Sequence, residues 1–194
     1  MTVTCTLSGT ALSTRFEVVN RGSGPVPMGL GIHPYFALPL PGSQEQDYFL
    51  QTNAPYLGAV HGYRPPTDPA PVGALDLQAG QQLDAYLRDA CPAGQMLMGL
   101  YVLPASAEAA DGGELCGARW PLTDTRRGFA IDIQASGDFR FALNFVPPAR
   151  TVISPVVSTC APNFWRMAPE GQSGGLIELP PAATWTARTD ITVR

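Results

Sequence analysis

Phe139-Arg140-Phe141-Ala142-Leu143-Asn144-Phe145-Val146 decides the fold class. Large apolar side chains recur at every second position through Phe139, Phe141, Leu143 and Phe145, which is the period of a half-buried strand. The same signal spreads outwards. Phe129–Ile133 alternates just upstream, and Thr151–Val157 is a β-branched run that reads as a buried strand. Leu176–Leu179 and Trp185–Val193 add two strands separated by Pro180-Pro181. Towards the N-terminus Thr2–Leu7 and Ala11–Val19 alternate, and the second stops at the turn cluster Asn20-Arg21-Gly22-Ser23-Gly24. Met28–Leu38 and Gln95–Leu103 are apolar runs, and Tyr48–Gln51 is a short strand. The one predicted helix is Gln82–Arg88, with Leu83, Tyr86 and Leu87 on one face. Pro55 to Pro71 and Ala105–Gly113 read as loops. About nine to eleven strands with short connections predict an all-β, antiparallel sandwich.

Composition agrees. Twenty glycines and twenty prolines suit many turns rather than a helical bundle. A length of 194 residues with no linker or repeat predicts a single domain over residues 1–194. The net charge of −4 argues against nucleic acid or an anionic membrane as partner. No apolar run approaches the roughly 20 residues that span a bilayer. The N-terminus reads as a strand and not as a signal peptide, so the expected location is cytoplasmic. Cys5, Cys91, Cys116 and Cys160 are scattered, without the spacing of a zinc site or a disulfide framework. No metal and no organic cofactor are expected.

The chemistry-bearing stretch is Leu30-Gly31-Ile32-His33-Pro34-Tyr35-Phe36-Ala37-Leu38, which holds one of only two histidines. An imidazole beside two aromatic rings at a strand end has the parts of a sugar site. Rings stack on a pyranose face, and the imidazole donates a proton near neutral pH. The competing reading makes His33 a hydrogen-bonded strand-end residue and the aromatics core. His61, the other histidine, reads as a loop residue.

Several segments, in this order, resemble the aldose 1-epimerase (galactose mutarotase-like) family. Phe16–Asn20 with Gly24-Pro25-Val26-Pro27 resembles the strand and turn before its histidine motif, and Gly31–Leu38 resembles the motif. Arg64-Pro65-Pro66-Thr67-Asp68 and Leu75-Asp76-Leu77 are similar to its Pro-Thr-Gly turn and Asp-Leu-Arg segment. Ser136–Val146 with Pro147-Pro148 resembles a core hairpin, and Thr151–Pro155 its Ile/Val-Glu-Pro strand. Gly174-Gly175-Leu176 and Leu179–Pro181 resemble its closing turn.

The resemblance implies a mutarotase-like supersandwich of twisted antiparallel sheets, lacking the N-terminal third usual in the family. It implies a hexose partner and, for an active protein, an isomerase that interconverts α and β anomers. His33 then matches the general acid, and the general-base glutamate position falls on Ser154. Met98 and Gly99 stand where the family has acidic residues. Tyr35, Phe36, Tyr101 and Ser154 are the implied substrate-binding residues, with Trp165 a further stacking candidate. Aromatic stacking needs no base, so a non-catalytic carbohydrate-binding sandwich is the alternative, and a truncated inactive homologue a third reading. Missing strands predict a homodimer.

Overall fold

Alternation in the sequence becomes antiparallel pairing in a computed structural model, which describes residues 1–59, 77–90, 97–103, 114–162 and 174–194. In chain order the strands are β1 (Thr2–Ser8), β2 (Ala11–Val19), β3 (Val26–Met28), β4 (Gly31–Ile32), β5 (Phe36–Ala37), β6 (Tyr48–Leu50), β7 (Tyr56–Ala59) and β8 (Gln81–Gln82). They continue with β9 (Leu97–Val102), β10 (Arg119–Asp124), β11 (Phe129–Ala135), β12 (Phe141–Val146), β13 (Val152–Ser158), β14 (Ile177–Leu179) and β15 (Thr184–Val193). A 3-10 turn at Glu45–Asp47 and the helix α1 (Leu83–Ala90) complete the described elements.

One sheet runs β1-β2-β15-β11-β10-β6-β8, and the second runs β4-β13-β12-β9-β7 with β5 also pairing to β13. A small ribbon joins β14 to β3. Fifteen strands among the described residues exceed the nine to eleven expected, because the region of the Met28–Leu38 run holds three short strands, β3, β4 and β5, and β7, β8 and β10 are additional. β7 forms inside the stretch read as loop, and β10 was not expected at all. Pro121 hides β10: it lacks an N–H, yet it sits one residue before the ladder to β6 begins at Leu122. His61, Trp165 and most of the remaining loop expectations lie outside the described residues.

The main core lies between the sheets. Phe16, Trp120, Leu122, Ile133 and Ala187 of one sheet meet Tyr101, Ala142, Val146, Ile153 and Val157 of the other. Helix α1 sets Leu83, Tyr86 and Leu87 into the same core, which is the face its sequence predicts. Trp120 also ties the layers together, its Nε1 donating to the Val156 carbonyl at 3.2 Å.

β12 departs from the half-buried strand that its alternation predicts. Ala142, Asn144 and Val146 face the main core, while Phe141 and Leu143 join Leu100, Val156 and Ala161 in a second apolar cluster on the opposite face. Both faces are therefore covered, and the second cluster floors the candidate site.

Asn144 is the flaw in this core. It is fully buried, and neither its Nδ2 nor its Oδ1 has a hydrogen-bond partner among the described residues. An unpaired buried amide costs about 1–3 kcal/mol. Asn144→Leu, of similar shape, is expected to stabilise the protein by that order, read from the midpoint of urea unfolding. An unchanged or lower midpoint would show that position 144 does not carry this desolvation cost.

Candidate functional site

The site begins with an interrupted edge on β13. β4 pairs with it at Ile32↔Val157 and β5 at Phe36↔Ile153. These two pairings share one register, so His33-Pro34-Tyr35 run past Ser154-Pro155-Val156 without ladder pairing. The register sets Pro34 against Pro155, and neither proline has an N–H to donate. Alternation then sorts the side chains. His33 and Tyr35 share a face with Ser154, Val156 and Ser158, while Ile32, Phe36, Ile153 and Val157 point to the main core. Pairing of β13 with β12 sets Ser154 opposite Phe145, Val156 opposite Leu143 and Ser158 opposite Phe141, which completes that outer face.

Three rings and one hydroxyl converge there. Tyr35 stacks on His33 with centroids 4.8 Å apart and planes at 16°. Phe145 meets His33 edge-on at 5.5 Å and Tyr35 at 6.1 Å. Each such pair contributes about 0.5–1.5 kcal/mol beyond area burial, so the imidazole is held in place. Ser154 Oγ lies 2.6 Å from His33 Nδ1. Beside this cluster is an open pocket of about 260 Å³ lined by His33, Leu143, Phe145, Val156, Ser158 and Cys160, with Ala161 and Pro162. It falls just below the roughly 300–1,000 Å³ of sites for drug-sized ligands, the scale of one small ring.

The electrostatics favour neutrality. Desolvation against the sheet lowers the His33 pKa below its ordinary 6.5, and a backbone hydrogen bond opposes this only in part. Burial pushes the Cys160 thiol up, away from a reactive thiolate. The Ser158 hydroxyl is already committed, donating to the Cys160 carbonyl at 2.7 Å. No aspartate or glutamate lines the pocket among the described residues.

Of the residues named from sequence, His33, Tyr35 and Ser154 come together. Ser154 is completely buried beneath the imidazole, and Tyr35 is 57% exposed at the surface of the cluster. Phe36 and Tyr101 do not join them. Phe36 is one residue out of phase with His33 and packs on the main core. Tyr101 is fully buried on the inner face of β9, bonded through its hydroxyl to Tyr86 at 2.9 Å and edge-on to Trp120. Pairing sets Gly99 beside Asn144 on that inner face, and Met98 is the register partner of Phe145. Sequence reasoning missed Leu143, Val156, Ser158 and Cys160. Period-two counting from Ser154 finds Val156 and Ser158, but only the pairing with β12 brings in Leu143.

No family model and no curated protein matches the chain. Solved structures do. The chain is similar to a galactose mutarotase-like protein from Clostridium acetobutylicum, with a TM-score of 0.71 and 16% identity over 99% of this chain and 55% of that one. A galactose mutarotase-like protein from Lactobacillus casei gives 0.64 and 20%, covering 99% and 62%. A galactose mutarotase related enzyme from Lactobacillus acidophilus gives 0.62 and 15%, covering 99% and 60%. The chain thus spans little more than half the length of these structures. Over that length it has the galactose mutarotase-like fold, an antiparallel β-sandwich.

Proposed function

We propose that this is an aldose 1-epimerase-like, cytoplasmic protein of carbohydrate metabolism whose pocket takes one hexose ring, with His33 giving a proton to the ring oxygen. The observation that carries this reading is the Ser154–His33–Tyr35–Phe145 cluster at the wall of a ring-sized pocket. Opening a hemiacetal puts one proton on the ring oxygen and takes one from O1. His33 serves the first transfer. The second is left to solvent, because no described pocket residue is a carboxylate. Acceleration is therefore modest and depends on the protonated imidazole.

The sign with pH follows from the lowered pKa of His33. Imidazolium is present only below the ordinary 6.5, so the excess rate over the buffer reaction rises as pH falls through that region and disappears above it. Stability moves the other way. The unfolded chain binds the proton more readily, so this contribution is complete above pH 6.5 and is lost as pH falls towards the folded-state value. Polarimetry of fresh α-D-glucose and α-D-galactose from pH 5.5 to 8 tests the reading. Wild type is expected to show the low-pH excess and His33→Ala to lose it. Binding of either sugar without any excess rate would transfer the protein to the non-catalytic reading, which the apolar lining by Leu143, Phe145, Val156 and Ala161 favours. Absence of both binding and acceleration would overturn the hexose assignment.

The homodimer belongs to the same proposal, and β1 is the surface that supports it. All seven of its residues are exposed and uncharged, and Val3 and Leu7 share the face of Phe16 through the β1–β2 register. Such an edge has none of the charges or prolines that discourage strand pairing. Val3→Lys with Leu7→Lys is expected to weaken self-association in sedimentation. A monomeric wild type at working concentration would sink it.

A further inference from the structure

Two arrangements satisfy the 2.6 Å contact between Ser154 Oγ and His33 Nδ1. Either the hydroxyl donates to an unprotonated Nδ1, or a protonated Nδ1 donates to the hydroxyl oxygen. Burial separates them. Ser154 is 0% exposed, and Nδ1 is the one side-chain partner recorded for its hydroxyl among the described residues. If Nδ1 carried the proton, the serine proton would be left inside the protein with nowhere to go, at the cost of an unmade buried donor. If the serine donates, only oxygen lone pairs stay unused, which is the cheaper deficit.

We infer that Ser154 is a positioning residue whose hydroxyl donates to Nδ1 of His33 and holds the ring in the Nε2–H form, leaving Nε2–H as the donor for a ligand in the pocket. The surroundings fix the ring as well as the proton. Tyr35 covers one imidazole face and Phe145 meets the ring at 69°, so the imidazole cannot turn to exchange its nitrogens without breaking both contacts. Partner choice follows from this chemistry. A neutral N–H beside an apolar wall suits an uncharged oxygen acceptor, such as a sugar ring oxygen or hydroxyl. It offers no positive charge to offset that of a phosphate or carboxylate group. Ser154 also opposes protonation of the ring, since an imidazolium would need Nδ1 to become a donor and strand the serine proton.

The inference about the proton stands on the contact and the burial alone; only the choice of a sugar oxygen as acceptor rests on the hexose reading. The test is nitrogen-15 NMR of the His33 ring in the ligand-free protein at pH 8, with a pH titration of its Cε1 proton. Wild type is expected to show a pyridine-like Nδ1 and a pyrrole-like Nε2. Ser154→Ala, which fits the same space, is expected to raise the His33 midpoint, and Ser154→Thr to restore it by returning the hydroxyl. A pyrrole-like Nδ1 in wild type would overturn the assignment, as would a midpoint unmoved in Ser154→Ala. Failure of the sugar reading leaves these signals as they are, because no sugar is present in the experiment.

Discussion

Ser154→Glu is expected to raise the rate of anomer interconversion by about 10²–10⁴, the factor that a positioned general base contributes. Position 154 faces the pocket side of β13, opposite Phe145 and within reach of His33. A glutamate there carries its oxygens further from the backbone than a hydroxyl does, past the imidazole that covers Ser154. Its carboxylate would stabilise the imidazolium across the short gap and accept the O1 proton, so acid and base would act together. Desolvation at this fully buried position tends to keep the acid protonated, and the imidazolium opposes that tendency. The variant is expected to lose stability, because one buried hydrogen bond is replaced by a buried charge. Ser154→Gln separates the effects: it has nearly the same shape and no base, and its rate is expected to stay far below that of Ser154→Glu. A folded Ser154→Glu protein with an unchanged polarimetric rate would show that position 154 does not reach the O1 proton.

Gly175→Ala is expected to destabilise the protein by about 2–5 kcal/mol, from roughly 1–2 for the left-handed backbone and 1–3 for overpacking. Gly175 has φ +77°, and a Cβ there would sit well inside contact distance of the Phe141 ring and of the Thr159 carbonyl. Neither neighbour yields easily. Phe141 is buried in the cluster that floors the pocket, and the chain beside Thr159 is pinned by the Ala161 N–H donating to the Gly174 carbonyl at 3.0 Å. The expected loss is a large share of the 5–15 kcal/mol that holds an ordinary domain together. Thermal unfolding reads it directly, and a shift below about 1 kcal/mol would mean that the closing turn has room that the geometry denies.

These variants mark how far the sequence carried. The strands ending at Val19 and Val146 were legible because each repeats its period several times over, while the helix gave only the weaker signal of Leu83, Tyr86 and Leu87 on one face within about two turns. The pairing of His33 with Tyr35 was legible too, since residues two apart on an extended chain share a face. β10 was not legible, because Pro121 argues locally against a strand while the register of its neighbours tolerates it. Phe36 was assigned to the site on chemistry, although its parity with His33 argues the other way. Tyr101 was assigned by resemblance, and its hydroxyl turned out to be satisfied by Tyr86 inside the core.

By itself the sequence determined the strand period, the antiparallel class and the histidine–aromatic segment, all of them properties of neighbouring residues. Only the tertiary structure decided that both faces of β12 are covered, that the Pro34–Pro155 gap interrupts the edge of β13, and that Ser154 meets His33 across 121 residues of chain. Period-two alternation says which side chains travel together. It does not say which face is buried or which strands pair, because register is set by long-range packing of whole sheets.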